Sequence, residues 1–433
     1  MPVAVFPVGR SFLAALLAVL VAGLSLGVGG AGAARTPSSA AQSPSPSEPP
    51  AAAGAPAPEP TESGHPDIVV PVGAPRPPDL TAASAVLMDV ASGRLLYAKD
   101  ADVQRAPASL TKVMTCLLAL EAGGLDDVVE VSDRAASVGG SSVWLEPGEK
   151  QTMRDLLYGL MLRSGNDAAE AIAEHVAGSA DDFAVLMNRR AEEIGATATH
   201  FRNPHGLPTP GHYSTAADLA LITREALLRP DFREIVATRS HVIPWPGQPW
   251  DRVVYNENRL LWLYPGADGV KTGWTEEAGR CLIGSATREG WQLLAVVLDA
   301  PEMWTDVMQL LDWGFNSFRR LVVYRAGENV ARVRVAGVLE RWVPLAASRD
   351  VAVAVLPGEE DKVFVEADPP PFIRSPVEQG REAGAVRVVV DGRPMRPLPL
   401  VAAWSVPPGG AVARLLEDLW VVLRDTLVKL LGL

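Results

Sequence analysis

The sequence predicts an α/β (α+β) core, then a small all-β domain, then a terminal amphipathic helix. Three observations carry that reading. Strand-like apolar runs stand at both ends of residues 81–318 with helical periodicity between them, so one sheet has to be assembled from the two ends. Residues 319–405 give short alternating runs punctuated by Pro and Gly. Residues 411–433 repeat Arg414, Glu417, Asp418, Arg424, Asp425 and Lys429 at helical spacing, with leucines over the rest of the surface.

The elements follow in order. Residues 1–33 combine Arg10 with an uncharged Leu/Ala/Val-rich stretch and end in Ala31-Gly32-Ala33, the pattern of an export leader. Residues 34–80 are dominated by Pro, Ala, Ser, Gly and Glu, cannot bury enough apolar surface to fold, and read as a disordered linker. Ser84 to Asp89 and Arg94 to Lys99 form a hairpin around Val90–Gly93. A helix runs from about Ser109 to Ala122, stopped by Gly123-Gly124, and helical patterns recur at 152–163, 166–177, 180–194 and 215–228. Strands return at 268–273, 279–287 and 291–299, with Arg288-Glu289-Gly290 as a turn, and a helix spans about Met303 to Phe318. The terminal helix, apolar over so wide an arc, is expected to lie in a membrane interface.

Composition narrows the function. The 433 residues are 48% hydrophobic and carry a net charge of −12, without a basic run, which argues against a nucleic-acid partner and against electrostatic docking on an anionic membrane. Cys116 and Cys281 sit in apolar runs and read as two buried free thiols. Of 39 basic side chains only six are lysine, which raises the question of what arginine cannot do at those places.

Three short patterns answer it. APASLTKVMT at 106–115 contains Ser109-x-x-Lys112, and residues three apart on a helix share a face. A serine nucleophile needs a base, and a lysine serves if burial or a nearby cation leaves its amine neutral; arginine stays charged. LRSGNDAAEAIAEH at 162–175 supplies Ser164 and Asn166, which would equally serve as a helix N-cap. YPGADGVKTGWT at 264–275 supplies Lys271, Thr272 and Gly273 on a strand, where glycine lets a ligand approach the backbone. Each of the first two is weak alone, but chance would yield all three only about 0.003 times in such a chain. In this order they are the motif set of penicillin-recognising serine enzymes.

On these residues the chain resembles the D-alanyl-D-alanine carboxypeptidases, the low-molecular-mass penicillin-binding proteins of serine peptidase family S11. NPHGLPTPGHYSTAADLALITREAL at 203–227 and the stretch 258–290 extend the likeness over roughly 81–318. The resemblance implies a core like that of the DD-peptidases and β-lactamases, with an antiparallel sheet flanked by helices. It makes Ser109 the acyl-ester nucleophile, Lys112 its base and Ser164 a proton relay. Asn166 would bind the substrate backbone, Lys271 and Thr272 the terminal carboxylate, and Gly273 and Trp274 would border the substrate. The oxyanion hole would be the N–H groups of Ser109 and Trp274. The implied partners are peptidoglycan stem peptides, β-lactams as covalent inhibitors and, through 411–433, the outer face of the bacterial cytoplasmic membrane. No cofactor is implied.

Other constellations fail. There is no G-x-S-x-G elbow and no H-E-x-x-H. His200, His205 and His212 have no acidic partner at ligand spacing and read as loop histidines rather than metal ligands. Trp245, Trp250 and Trp262 could line a glycan groove, though single aromatics are more often anchors. A β-lactamase would need a deacylating base, and no E-x-x-L-N element follows the second motif. A non-catalytic β-lactam sensor would not need an activated base.

Overall fold

A computed structural model describes residues 68–338 and 341–410. The expected leader at 1–33 and the terminal helix at 411–433 lie outside the described residues. Among the described residues, no helix is long and apolar enough to cross a membrane.

The central sheet has six strands among the described residues: β1 (Ile68–Val69), β2 (Ser84–Asp89), β3 (Leu95–Lys99) and, far along the chain, three more. Between them come α1 (Lys112–Ala122), β4 (Val128–Glu130), α2 (Asp133–Ala136), β5 (Lys150–Thr152), α3 (Met153–Leu162), α4 (Asn166–Ala177), α5 (Ala180–Ile194), α6 (Ala216–Leu227) and α7 (Pro230–Ala237). A small hairpin, β6 (Ser240–Ile243) with β7 (Arg252–Tyr255), and the turn of helix α8 (Leu260–Leu263) lead to β8 (Ala267–Thr275), β9 (Gly279–Arg288) and β10 (Trp291–Leu298). The helix α9 (Met303–Ser317) closes the core.

The sheet is antiparallel in the order β1-β3-β2-β10-β9-β8, so β2 pairs β10 and joins the two ends of the domain. Both faces are covered. Val86 and Met88 of β2 enter the cluster under the helical lobe, while Ala85 and Leu87 enter the one under α9. Alternate side chains point to opposite faces, so a strand buried on both reads as a continuous apolar run. The β9–β10 turn has Glu289 at φ 51° and Gly290 at φ 75°, the two positive values of a type I′ hairpin.

The caps follow local chemistry. Thr152, Ser179 and Thr215 each accept an N–H three residues on, from Asp155, Asp182 and Asp218. The nucleophile segment departs from the expected continuous helix. Ala108–Thr111 is a 3₁₀ turn, and α1 proper starts at Lys112. The linker also ends earlier than the sequence suggested. Ile68–Val69 pairs β3, and Val70, Ala74 and Leu80 pack on the α9 cluster, because an Ile-Val-Val run can pair with an open strand even beside prolines.

The β domain matches its expectation. Strand β11 (Arg319–Tyr324) pairs β14 (Val351–Val355), and a second sheet holds β12 (Asn329–Ala336), β13 (Arg341–Ala347), β15 (Val363–Asp368), β16 (Ile373–Arg374), β17 (Glu382–Val390), β18 (Arg393–Pro394) and β19 (Leu398–Ala402). It is fastened to the core by buried polar groups. Arg94 donates to both oxygens of Glu359 and to Ala354 O, while Ala354 N–H donates to the buried carboxylate of Asp89.

Candidate active site

The 3₁₀ turn holds Ser109 at the floor of a cavity of about 510 Å³, with Gly140, Ser141, Asn166, Gly206 and Trp274 among its walls. Ala108 has φ 47°, a conformation few side chains adopt. The loop 203–212 closes onto this turn so tightly that a Cβ on Gly206 would lie 1.9 Å from Ala108 O. Only glycine fits there.

Lys112 is fully buried, with Nζ 2.9 Å from Ser109 Oγ, 2.7 Å from Asn166 Oδ1 and 2.6 Å from His205 O. The Asn166 amide is oriented unambiguously, since its Nδ2 donates to Gly139 O at 2.7 Å. Burial, then the charge of Lys271, pull the Lys112 amine well below its usual value. A neutral amine has two N–H donors and one lone pair. Two partners here are carbonyl oxygens that can only accept, so they take both donors. In the neutral form the lone pair would then face the Ser109 hydroxyl, 2.9 Å away, as a base requires.

The second pattern is not an N-cap. The cap of α4 is Gly165, without a side-chain hydrogen bond, and the Asn166 amide is taken up by Lys112 and Gly139. Ser164 is buried with φ 63°, in the turn before α4. Among the described residues its hydroxyl makes no hydrogen bond to Ser109 or Lys112. Backbone of this kind in a non-glycine residue concentrates at functional sites.

The third wall is β8, the edge of the sheet. A Cβ on Gly273 would lie 3.3 Å from Ser109 N and from the Ala108 and Leu110 side chains, so the strand packs closely on the 3₁₀ turn. Lys271 is buried, donates to Thr272 O, and is pushed down to about 8 by burial, against the pull of Glu257. Trp274 is 62% exposed and borders the cavity.

Several members carry no local sequence signature. His205 and His212, expected in open loops, are buried beside the nucleophile. Arg202 N–H donates to His212 Nδ1, so the proton sits on Nε2 and is donated to Thr111 Oγ1 at 2.9 Å. Burial, the largest cause for each, holds His212 down to about 4 and His205 to about 3, so both rings are neutral. Asp167 accepts from Val143 N, Leu145 N and Ser142 Oγ, and so shapes the loop that carries Ser141 into the cavity. The one signal in the sequence was its place directly after Asn166. Both cysteines are buried and free; burial pushes the Cys116 thiol up and that of Cys281 up to about 11, which suits packing rather than nucleophilic chemistry.

The chain is similar to known proteins over most of its length. The sequence model of the D-alanyl-D-alanine carboxypeptidase family matches residues 72–302, and that of the C-terminal domain of penicillin-binding protein 5 matches 318–408. The D-alanyl-D-alanine carboxypeptidase DacF of Bacillus subtilis is 35% identical over 342 residues, 76% of this chain and 87% of that one. DacB2 of Mycobacterium tuberculosis is 38% identical over 57% of this chain and 87% of its own. The crystal structure of penicillin-binding protein 5 from Haemophilus influenzae superposes with a TM-score of 0.59 at 30% identity, covering 77% of this chain and 99% of that one.

Proposed function

The chain belongs to the D-alanyl-D-alanine carboxypeptidase family of serine peptidases, and from that premise we propose that it trims the terminal D-alanine from peptidoglycan stem pentapeptides through an acyl-enzyme on Ser109. The observation that carries the reading is the Lys112 amine, held between two carbonyl acceptors with its lone pair free for Ser109.

The substrate backbone lies along the β8 edge opposite Asn166, its carboxylate against Lys271 and Thr272. Edge strands accept an extended peptide in this way. Ser109 Oγ attacks the carbonyl carbon of the penultimate residue as its proton passes to Lys112 Nζ. The oxyanion is taken by the N–H groups of Ser109 and Trp274, and the close packing of β8 at Gly273 on the 3₁₀ turn supports that pairing. The C–N bond breaks, the leaving amine takes a proton by way of Ser164, and D-alanine departs. Water then cleaves the ester and frees Ser109. A β-lactam, opened by the same attack, remains as a covalent adduct. The leader at 1–33 and the stripe at 411–433 support an exported enzyme on the outer face of the membrane, which fractionation with and without 411–433 checks.

Purified protein incubated with a D-Ala-D-Ala pentapeptide should release D-alanine, and a Ser109→Ala variant should not. Equal release by both would end this reading. Mass spectrometry with penicillin should show a long-lived adduct on Ser109; rapid turnover of the drug would point to a lactamase instead.

A further inference from the structure

Beside the catalytic cavity lies an open depression of about 620 Å³ lined by Ala136, Ser142, Trp144, Leu145, Glu146 and Trp245. The reading above leaves it without a role. We propose that this depression is a saccharide subsite, holding an N-acetylhexosamine of the glycan to which the stem peptide is attached. The proposal deepens the function proposed above and rests on it.

Three features show that the site is built rather than incidental. Trp144 is 53% exposed and has φ 60°, a conformation that strains a bulky residue and persists only when its surroundings impose it. Those surroundings are buried and polar. Trp144 N–H donates to Ser142 Oγ, which donates in turn to Asp167, while Trp144 O accepts from Arg252 at 2.8 Å. Arg252, only 3% exposed, also lies 4.1 Å from the centre of the Trp245 ring, so one buried guanidinium holds the Trp144 backbone and stacks on the Trp245 indole. Arg163, next to Ser164, stands over the Trp144 ring.

One loop borders both the depression and the catalytic cavity. Gly140 and Ser141 line one and Ser142 and Trp144 the other, on a single loop. From Ser141 to Trp144 the chain spans at most about 11 Å, and the four stem residues left after D-alanine departs reach about 14 Å. The stem is thus long enough to carry a sugar at its head from Ser109 toward the depression on the same loop. Flat indole faces match the apolar C–H face of a pyranose, and Ser142 and Glu146 supply hydrogen-bond partners for its hydroxyl and acetamido groups.

The test compares kcat/KM for D-alanine release from a disaccharide-pentapeptide and from the same pentapeptide free, in wild type and in Trp245→Ala. Wild type should prefer the glycosylated substrate at least tenfold, mainly through KM, and the variant should bring that ratio close to one. The rate of acylation by penicillin serves as the check that the variant is folded. A wild-type ratio near one, or a ratio the variant does not move, overturns the subsite. An equal loss on both substrates also overturns it, in favour of a peptide contact. Calorimetric titration of Ser109→Ala with the free disaccharide is independent of turnover. Binding there that Trp245→Ala weakens tenfold supports the subsite even if neither substrate yields D-alanine, an outcome that would sink only the function proposed above.

Discussion

Two buried basic side chains, Lys112 on α1 and Arg252 on β7, have opposite fates. Lys112 is surrounded by carbonyl oxygens and faces a second lysine, and its amine is driven toward the neutral form. Arg252 is nearly as buried, but both arms meet the carboxylate of Glu149, at 2.6 and 2.7 Å. Burial pushes that carboxyl up, yet the hydrogen bonds from Arg252 and Gln151 outweigh it and hold Glu149 below the usual range. Burial alone therefore decides neither fate. The guanidinium stays charged whatever surrounds it and its anionic partner offsets the cost of burying it, while burial among neutral acceptors and a like charge drive a lysine toward the neutral form.

The largest test of that contrast is Lys112→Arg. A guanidinium cannot give up its proton, so acylation of Ser109 should fall about 10²–10⁴-fold, the usual contribution of a general base. Stopped-flow acylation by a chromogenic penicillin measures it, and a variant within tenfold of wild type would break the comparison. Next comes Arg252→Met, which strands the Glu149 carboxylate and should cost about 3–5 kcal/mol in denaturant unfolding. Adding Glu149→Leu to that variant should recover most of the loss, since no buried charge then remains; equal losses in single and double variants would mean that the pair acts through packing alone.

The smallest effect is in the pH profile. Lys112 must be neutral, so the rate rises as pH climbs through its lowered value. Lys271 must be charged to hold a carboxylate, so the rate falls above about 8, its value in the fold. At pH 9 about one enzyme in ten keeps that proton. In Lys271→Arg the alkaline limb should move beyond pH 10 while the acid limb stays, measured as kcat/KM against pH. An alkaline limb that survives at pH 8 would assign it to another group.

Much of this was legible beforehand. The hairpin at 84–99, the helices from 152 to 227 and the three C-terminal strands of the sheet announce themselves by period and punctuation, because those signals are local. The pair β6 and β7 escaped notice. Its short strands carry exposed Val242, Val253 and Tyr255, so no clean alternation marks them. Ser109, Lys112, Asn166 and Lys271 were legible through their spacing and do converge. His205 and Asp167 were not, since each acts on a partner more than twenty residues away, His205 through a backbone carbonyl that any residue possesses.

By itself the sequence determined that Ser109 and Lys112 lie one turn apart, because spacing along a helix turn fixes which side chains share a face. It also determined that lysine rather than arginine stands where a proton must come off. Only the tertiary structure decided that Lys112 is stripped of solvent, that two carbonyls occupy its donors, and that Arg252 is matched by Glu149. Those outcomes depend on what the fold packs against each charge, and desolvation is a property of the surroundings rather than of the residue.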